Sequence, residues 1–325
     1  MQIQRQPKTF MDFCAGIGAG RQGLEKAGLS SVGYSEIEST AIATYNILHN
    51  IEIEINYNDL TKIKTKDLPE FDVMIAGFPC QTFSVIGKGR GMEDERGQII
   101  YFLANILKEK KTPYFILENV KGLLTHDRGR TIKIIIKNLE DAGYSVEFKV
   151  LNSIDYGVPQ MRERIYFVGI RKDLIRHERK YQWPEKVTKP SIKDFLIDTN
   201  NEISKSQLAT FERYLNSKTN QGKKSLQNIL KMEYAVIDTR QSDLRIYKER
   251  VPTIRRGRQG IYYVKNGVLR NLTGYEGMLL QGFSKNCASK IRNMPSTTVL
   301  ALVGNAMTVT VIEALANSLI EYIKD

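Results

Sequence analysis

The chain has 325 residues, 42% of them hydrophobic and 26% charged, which is enough apolar material for about two domains with real cores. No apolar run approaches the roughly 20 residues of a membrane span, and residues 1–8 lack the apolar stretch of a signal peptide. Three cysteines and three histidines, none at metal-ligand spacing, argue against a disulfide framework and a metal site. We therefore expect a cytoplasmic protein that binds no metal and no membrane.

The charge is concentrated in one part of the chain. The formal net charge is +12, and residues 171–270 hold 23 basic and 11 acidic residues, a surplus of 23 − 11 = 12. The whole excess therefore lies in one segment of the sequence. Lysines that only improve solubility would be scattered, so this concentration favours a surface that binds a polyanion.

The first 170 residues alternate short apolar runs with helical patterns. The patterns predict strands at 10–15, 31–35, 71–76, 114–117, 145–151 and 165–170, and helices at 21–27, 37–48, 99–109 and 131–142. Such alternation is typical of an α/β fold with a doubly wound, mostly parallel sheet and helices on both faces.

The rest of the chain breaks this rhythm. Residues 186–294 are polar, basic and irregular, and helical spacing of apolar residues returns only at 309–323. Because such a helix needs an apolar surface to cover its stripe, we expect it to pack on the sheet domain. We predict one domain of residues 1–185 plus 295–325, and a smaller domain of residues 186–294.

A glycine-rich turn follows the first predicted strand. Gly16 and Gly18 allow a tight turn and close approach of the backbone to a ligand, although packing alone also explains such glycines. Glu36 ends the second strand, where an acid can hold ribose hydroxyls, and Asp59 follows along the chain. The full spacing of a dinucleotide-binding fingerprint is absent. This favours an adenosyl ligand without a pyrophosphate, such as S-adenosylmethionine.

Chemistry-bearing side chains follow three later strands. Cys80 comes just after the strand 71–76, in the loop where doubly wound sheets bind ligands. Glu118 ends the next strand and should face the same crevice. Arg162 and Arg164 are two apart in an extended segment, so they should point the same way and suit an anion or a carbonyl oxygen. A chance surface glutamate and a solvated charge run are the alternatives.

The other two cysteines carry no such signal. Cys14 lies at the end of the first predicted strand, and Cys287 lies outside the sheet pattern. Most cysteines are buried and inert, and we interpret both in this way.

Six short motifs follow one another along the chain. They are Pro79-Cys80-Gln81, Glu118-Asn119-Val120, Gln160-x-Arg162-x-Arg164, Arg270-x-Leu272-Thr273-x-x-Glu276, Leu280-Gln281-Gly282-Phe283 and Gly304-Asn305. Together and in this order they resemble the motifs of the DNA cytosine-5 methyltransferase family of bacterial or phage restriction-modification systems.

The resemblance implies a reaction and a role for each catalytic residue. Cys80 would attack C6 of cytosine as a thiolate. This attack is needed because C5 is a feeble nucleophile until a soft nucleophile has added at C6. Glu118 would hold the N3 and N4 edge, and Arg164, with Arg162, would hold the O2 carbonyl. C5 would then take the methyl group, and loss of its proton with β-elimination would free Cys80. Because these atoms are unreachable inside a duplex, the base must be flipped out.

The resemblance also implies a Rossmann-like domain that binds S-adenosylmethionine and releases S-adenosylhomocysteine. Glu36 would contact the ribose, Ile37 the adenine, and Asp59 its amino edge. The implied cofactor contacts are Ala15, Gly16, Ile17, Gly18, Glu36, Ile37, Asp59, Pro79 and Asn305.

Double-stranded DNA is the implied partner, and residues 186–294 would be its target-recognition domain. Arginine reads guanine and glutamine reads adenine most often, so Arg255, Arg256, Arg258 and Gln259 are candidate base readers or phosphate contacts. The segment 85–97 would close over the DNA, with contacts from Gln81, Ser84, Lys88, Arg90 and Arg96. We expect a monomer, with any cognate restriction endonuclease acting separately.

The sequence departs from the family pattern at several positions. Cys14 stands where the family usually has Phe, and Ala19 stands where it has Gly. Ala306 and Met307 replace a small hydroxyl residue and Val, and Ile37 replaces an aromatic residue that some members stack on adenine. These departures bear on cofactor affinity rather than on the reaction.

Three other functions compete with this interpretation. A tRNA cytosine-5 methyltransferase shares the fold and the cysteine chemistry, but its characteristic Cys-Phe-Thr tripeptide is missing here. A nucleotide-dependent oxidoreductase would explain the glycine-rich turn, but it does not require Cys80, Glu118 and the paired arginines. A DNA-binding module without activity would explain only the basic segment.

Overall fold

The computed structural model describes residues 6–79, 99–175 and 180–324. The chain forms two compact units. The first unit comprises Met1–Asn152, Glu163–Lys186 and Ala306–Asp325, and the second comprises Ser153–Arg162 and Val187–Asn305.

The first unit is built on a six-stranded sheet in the order β2-β1-β3-β4-β7-β5. Strand β7 runs antiparallel to both of its neighbours, and the remaining pairs are parallel. Numbered in chain order, the strands are β1 Thr9–Phe13, β2 Ser30–Ser35, β3 Val73–Gly77, β4 Tyr114–Val120, β5 Tyr144–Asn152 and β7 Glu163–Arg171. The mostly parallel α/β sheet predicted from the sequence is therefore confirmed.

Helices cover this sheet because its central strands are apolar on both faces. Strands β3 and β4 are almost wholly buried, as expected for parallel strands that face helices on two sides. The helices of the unit are α1 Ala19–Lys26, α2 Ser39–His49, α3 Ile99–Lys110, α4 Arg130–Asp141 and α10 Val309–Ile323.

The last helix packs on the sheet domain, as the sequence predicts. Helix α10 has the predicted bounds and packs on α1. The contact is close because Gly23 of α1 has no side chain, and a Cβ there would lie 2.6 Å from Cβ of Ile312. An apolar C-terminal helix therefore closes the sheet domain.

The second unit contains a four-stranded antiparallel sheet in the order β12-β11-β8-β9 and a separate parallel pair, β10 with β6. Its strands are β6 Gln160–Met161, β8 Val236–Asp238, β9 Arg245–Tyr247, β10 Val251–Pro252, β11 Ile261–Lys265 and β12 Val268–Asn271. Its helices are α5 Lys205–Leu215, α6 Leu226–Leu230, α7 Gly274–Leu280, α8 Lys285–Ser289 and α9 Ser296–Asn305. One face of the four-stranded sheet packs on α5 and α6 through Phe211, Ile229, Ile237 and Val264.

The two units differ from the predicted domains in two segments. Residues 153–162 join the second unit because β6 pairs with β10. Residues 295–305 join it because α9 packs on α7, where a Cβ at Gly274 would lie 2.7 Å from Cβ of Val299. Neither contact has a local signature in the sequence.

One stretch of helix, Ser296–Ile323, is long and apolar enough to cross a membrane by composition, with a mean hydropathy of 1.8. It is broken between α9 and α10, and 67% of its most apolar window is buried inside the protein, as in core helices of soluble proteins.

A buried carboxylate organises the second unit at the start of α7. Thr273 caps the helix, and Glu276 completes a capping box by accepting from the Thr273 nitrogen at 3.1 Å. The other oxygen of Glu276 accepts from the hydroxyl of Tyr263 at 2.7 Å and from the Asp198 nitrogen at 3.0 Å. Burial raises the pKa of Glu276 from its ordinary 4.5 to about 7, against these hydrogen bonds, which lower it.

This raised pKa makes the stability of the protein depend on pH. Between pH 4.5 and about 7 folded Glu276 keeps a proton that the unfolded chain releases, so its contribution to stability is largest below pH 4.5 and declines as the pH rises to 7. The decline should be on the order of 2–3 kcal/mol. We expect Glu276→Gln to reduce this decline, as measured by the melting temperature between pH 5 and 7.5. Equal pH dependence in the two proteins would contradict the prediction.

Candidate active site

The turn after β1 has an unusual backbone. Cys14, Gly16 and Gly18 have φ angles of 50°, 58° and 77°, so every second residue is left-handed. A Cβ at Gly18 would lie 2.2 Å from Nε2 of His49, which explains why a glycine is needed there. At Gly16 a Cβ would meet no atom within 4 Å. The open side of this turn therefore leaves room for a ligand to approach the backbone.

Glu36 holds this turn to the end of β2. Its Oε2 accepts from the Gly16 nitrogen at 2.7 Å, and its Oε1 accepts from the nitrogens of Ile37 and Glu38 at 2.8 and 2.9 Å. A carboxylate has about four acceptor positions, so one position remains on Oε2 after these three bonds. Glu36 can therefore shape the turn and still accept a ligand hydroxyl.

Four other residues that were predicted to contact the cofactor differ in their exposure and in the groups that they offer to a ligand. Ile37 is 71% exposed, which is unusual for a large apolar side chain. Ala15 and Ile17 are buried and offer only backbone to a ligand. Asp59 accepts from the nitrogen and hydroxyl of Thr61 at 3.0 and 2.8 Å, and these bonds lower the pKa of its carboxyl.

Cys14 is an unreactive neighbour of this turn. Burial raises the pKa of its thiol to about 12, so it stays protonated at neutral pH. Cys287, in α8, is buried. Neither thiol has the features of a nucleophile.

The register of the sheet brings a glutamate, an arginine and a glycine together. Glu118 of β4 lies beside Gly77 of β3, and Val120 lies opposite Arg164 of β7. Nε of Arg164 lies 3.1 Å from Oε1 of Glu118, and their side chains are only 14% and 9% exposed. A Cβ at Gly77 would lie 3.6 Å from Oε2 of Glu118. The absence of a side chain at Gly77 thus leaves space beside this carboxylate.

An amide holds the segment that leads to Cys80. Nδ2 of Asn119 donates to the carbonyl oxygen of Phe78 at 3.0 Å, and its Oδ1 accepts from the Val120 nitrogen at 2.8 Å. Asn119 is buried, and sequence reasoning had not assigned it a role. It ties the end of β4 to the segment two residues before Cys80, with Pro79 between them.

Several predicted residues lie outside the part of the chain that the structure describes. These are Cys80 and the candidate DNA contacts Gln81, Ser84, Lys88, Arg90 and Arg96, together with the rest of the segment 85–97.

The two arginines of the Gln160-x-Arg162-x-Arg164 motif have different partners. Arg162 is buried and donates to the carbonyl oxygens of Ile254 and Gly304, both at 3.1 Å. Arg164 pairs with Glu118. The reason is that the segment is not one strand: Arg162 lies between β6 and β7.

The predicted base-reading residues form an exposed turn, here called the recognition turn, Arg255–Arg258. The Arg258 nitrogen donates to the Arg255 carbonyl oxygen at 3.3 Å, and Gly257 has a φ of 67°. Gln259 follows it and is also exposed. The backbone of the turn touches Gly304, where a Cβ would lie 2.2 Å from the Arg256 nitrogen. Arg162 and Gly304 thus set the position of the turn, and Asn305, next to Gly304, is exposed.

Below this turn lies a small cavity, here called the recognition pocket, of about 170 Å³. Arg245, Arg255, Arg258 and Gln241 contribute to its lining. A buried ion pair supports it: Nε of Arg240 lies 2.7 Å from Oδ1 of Asp238, and Arg240 also donates to the Thr253 carbonyl oxygen at 2.8 Å. The pair was not predicted from the sequence, because two charged residues two apart at the end of a strand look like ordinary surface charges.

Met307, one of the departures from the family pattern, fills a gap between two glycines. A Cβ at Gly20 would lie 2.7 Å from its Cε, and a Cβ at Gly77 would lie 3.5 Å from its Cγ. The long, flexible side chain fits because both neighbours lack side chains. Met307 thus packs between α1 and the end of β3.

Comparisons with known proteins show which family the chain is similar to. The family model of C-5 cytosine-specific DNA methylases matches residues 8–321. The chain is 36% identical to the type II methyltransferase M.NgoBI of Neisseria gonorrhoeae, over 94% of this chain and 90% of that protein. It is 33% identical to the type II methyltransferase M.HaeII of Haemophilus aegyptius, over 97% and 93%.

A solved structure shows the same fold. A DNA modification methyltransferase encoded within an E. coli prophage has a TM-score of 0.70 at 20% identity, covering 98% of this chain and 100% of that one. From the family match over nearly its whole length, the ordered motifs and the shared fold, we conclude that this chain belongs to the C-5 cytosine-specific DNA methylase family.

Proposed function

We propose that this DNA cytosine-5 methyltransferase acts on a cytosine within a specific duplex sequence, with Cys80 as nucleophile and Glu118 and Arg164 as the groups that hold the base. The buried Glu118–Arg164 pair beside Gly77 is the observation that carries the assignment. An acid and a cation lie together at the end of β4. Gly77, which is in register with Glu118, precedes Cys80 by only three residues along the chain.

The steps follow from the chemistry of the ring. The Cys80 thiolate forms a bond to C6, and the electron pair of the C5–C6 double bond moves to C5 and, through C4, toward N3. Glu118 keeps N3 protonated and Arg164 faces O2, so both stabilise the charge that develops. After C5 has gained the methyl group, its proton leaves and the C6–S bond breaks, which regenerates the thiolate. Arg162, which donates from Nη1 and Nη2 to two carbonyl groups, serves to position the recognition turn.

The first turn fits S-adenosylmethionine, which supplies an electrophilic methyl group when bound. The open side of Gly16 admits a ligand, and the remaining acceptor position of Glu36 suits a ribose hydroxyl. Ile37 offers an exposed apolar surface to adenine, and Asp59 an acceptor to its amino group. We infer that Gly18, Pro79 and Asn305 complete the contacts, as in the family pattern.

The relatives bear on the biological setting. The names of M.NgoBI and M.HaeII as type II methyltransferases favour a restriction-modification system with a separate endonuclease. A monomer that acts on DNA in a bacterial cytoplasm is the simplest form of such an enzyme.

The catalytic assignment predicts the effect of two substitutions. Cys80→Ser should abolish methyl transfer, and Glu118→Gln should lower kcat about 10²- to 10⁴-fold because the acid that protonates N3 is removed. Incorporation of labelled methyl groups into duplex DNA measures both, and bisulfite sequencing identifies the methylated atom and the target sequence.

Glu163→Gln is a matched control, because Glu163 has the same chemistry but pairs with Lys121 at an exposed site. It should retain activity within about threefold. Full activity in Glu118→Gln would contradict the role of this carboxylate, and methylation of tRNA in place of DNA would contradict the substrate. In the presence of S-adenosylmethionine, a duplex with 5-fluorocytosine should trap wild type covalently. After methylation of C5 the fluorine cannot leave as a proton does, so the C6–S bond cannot break by elimination. Cys80→Ser should not be trapped.

The recognition turn predicts two classes of variant. Replacement of a phosphate-contacting arginine by Ala should weaken binding to all sequences and lower the salt slope by about 0.9. Replacement of a base-reading residue among Arg255, Arg256, Arg258 and Gln259 should cost about 1–3 kcal/mol and relax one target position. Binding titrations on a panel of duplexes at several salt concentrations separate the classes. Arg213→Ala is the control, because Arg213 is an exposed residue of α5. Unchanged sequence preference in all four variants of the recognition turn and Gln259 would refute base reading here.

A further inference from the structure

A second cavity in the second unit has no part in the function described above. It has a volume of about 420 Å³ and is lined by Lys189, Lys224, Met232, Ile246, Lys248 and Arg250. We call it the flank pocket. Four of its six lining residues are cations, and the other two form an apolar floor.

The flank pocket concentrates positive charge without acidic partners among the described residues. Within that part of the chain, no ion pair or hydrogen bond involves the charged group of Lys189, Lys224, Lys248 or Arg250, although Arg250 also lies 5.8 Å from the ring centre of Tyr247. By contrast, four other arginines of the second unit pair with carboxylates, namely Arg240, Arg245, Arg270 and Arg292. Four like charges around one cavity repel one another, and an anionic ligand would relieve this repulsion.

Strand alternation places the flank pocket opposite the recognition pocket. Arg245 and Tyr247 of β9 line the recognition pocket, whereas Ile246, followed by Lys248 and Arg250, lines the flank pocket. Successive side chains of a strand point to opposite faces, so the two cavities lie on the two sides of β9. Because β9 is an edge strand of its sheet, a rod-shaped ligand that lies along this edge would meet both cavities.

We propose that the flank pocket binds phosphates of the duplex DNA that flanks the recognition sequence. This proposal rests on the proposed function, because it takes the DNA held at the recognition pocket as its ligand. Flexible lysines suit phosphates of any sequence. The floor of Met232 and Ile246 suits the apolar face of a deoxyribose. The pocket adds affinity for long duplexes and carries no sequence information.

The test removes the four charges and varies the length of the DNA. The variant carries Lys189→Gln, Lys224→Gln, Lys248→Gln and Arg250→Gln. On a duplex of about 30 base pairs we expect binding about 10- to 100-fold weaker at low salt, and a salt slope lower by about 0.9 for each phosphate that the variant no longer binds. On a duplex of about 12 base pairs centred on the target, binding should change less than about threefold, and sequence preference should be unchanged on both.

Two further proteins serve as controls. Four exposed lysines of the first unit, Lys64, Lys66, Lys108 and Lys133, changed together to Gln, remove the same charge elsewhere and should weaken long-duplex binding much less. A variant with Lys189→Arg, Lys224→Arg and Lys248→Arg keeps the charge and should bind long duplexes as wild type does, which separates loss of charge from loss of folding.

Three outcomes would overturn the proposal. They are equal long-duplex affinity in wild type and the glutamine variant, an equal loss of affinity on both duplex lengths, and an equal loss of affinity in the first-unit control. Failure of the wild-type protein to methylate any duplex would instead refute the proposed function, so the two failures are distinguishable.

Discussion

The ion pair between Glu118 and Arg164 is the interaction around which the site is organised. It forms because β7 runs antiparallel between β4 and β5, which places Arg164 opposite Val120 and within 3.1 Å of the Glu118 carboxylate. Because both side chains are buried, removal of either partner would leave an uncompensated buried charge, which is strongly destabilising. Gly77, beside Glu118 in register, places no side chain next to this carboxylate.

The surroundings of this pair are shaped by side chains that do no chemistry. Asn119 secures the carbonyl of Phe78, and Met307 fills the gap between Gly20 and Gly77. Glu36 closes the first turn with three amide hydrogen bonds. Most of these contacts join residues that are far apart in the chain or that follow different strands, so the precision of the site comes from the packing of the sheet.

The second unit holds charged, exposed side chains in defined positions. Arg162, Gly304 and the Asp238–Arg240 pair anchor the backbone on either side of the recognition turn. Carbonyl and carboxylate groups hold the guanidinium groups of Arg162 and Arg240 in place. The arginines of the recognition turn, in contrast, are exposed. The flank pocket, with its four cations, lies on the other side of β9 from the recognition pocket.

Local patterns in the sequence were sufficient to predict the α/β alternation, the bounds of α10 and the family of the chain, because hydrophobic periodicity and ordered motifs are properties of short segments. They failed where long-range packing decides. The pairing of β6 with β10 moved residues 153–162 into the second unit. The break between β6 and β7 gave Arg162 and Arg164 different partners, and strand register brought Gly77 beside Glu118. Such neighbours are fixed only in the folded chain, because a residue's partners depend on which strands pair and in what register.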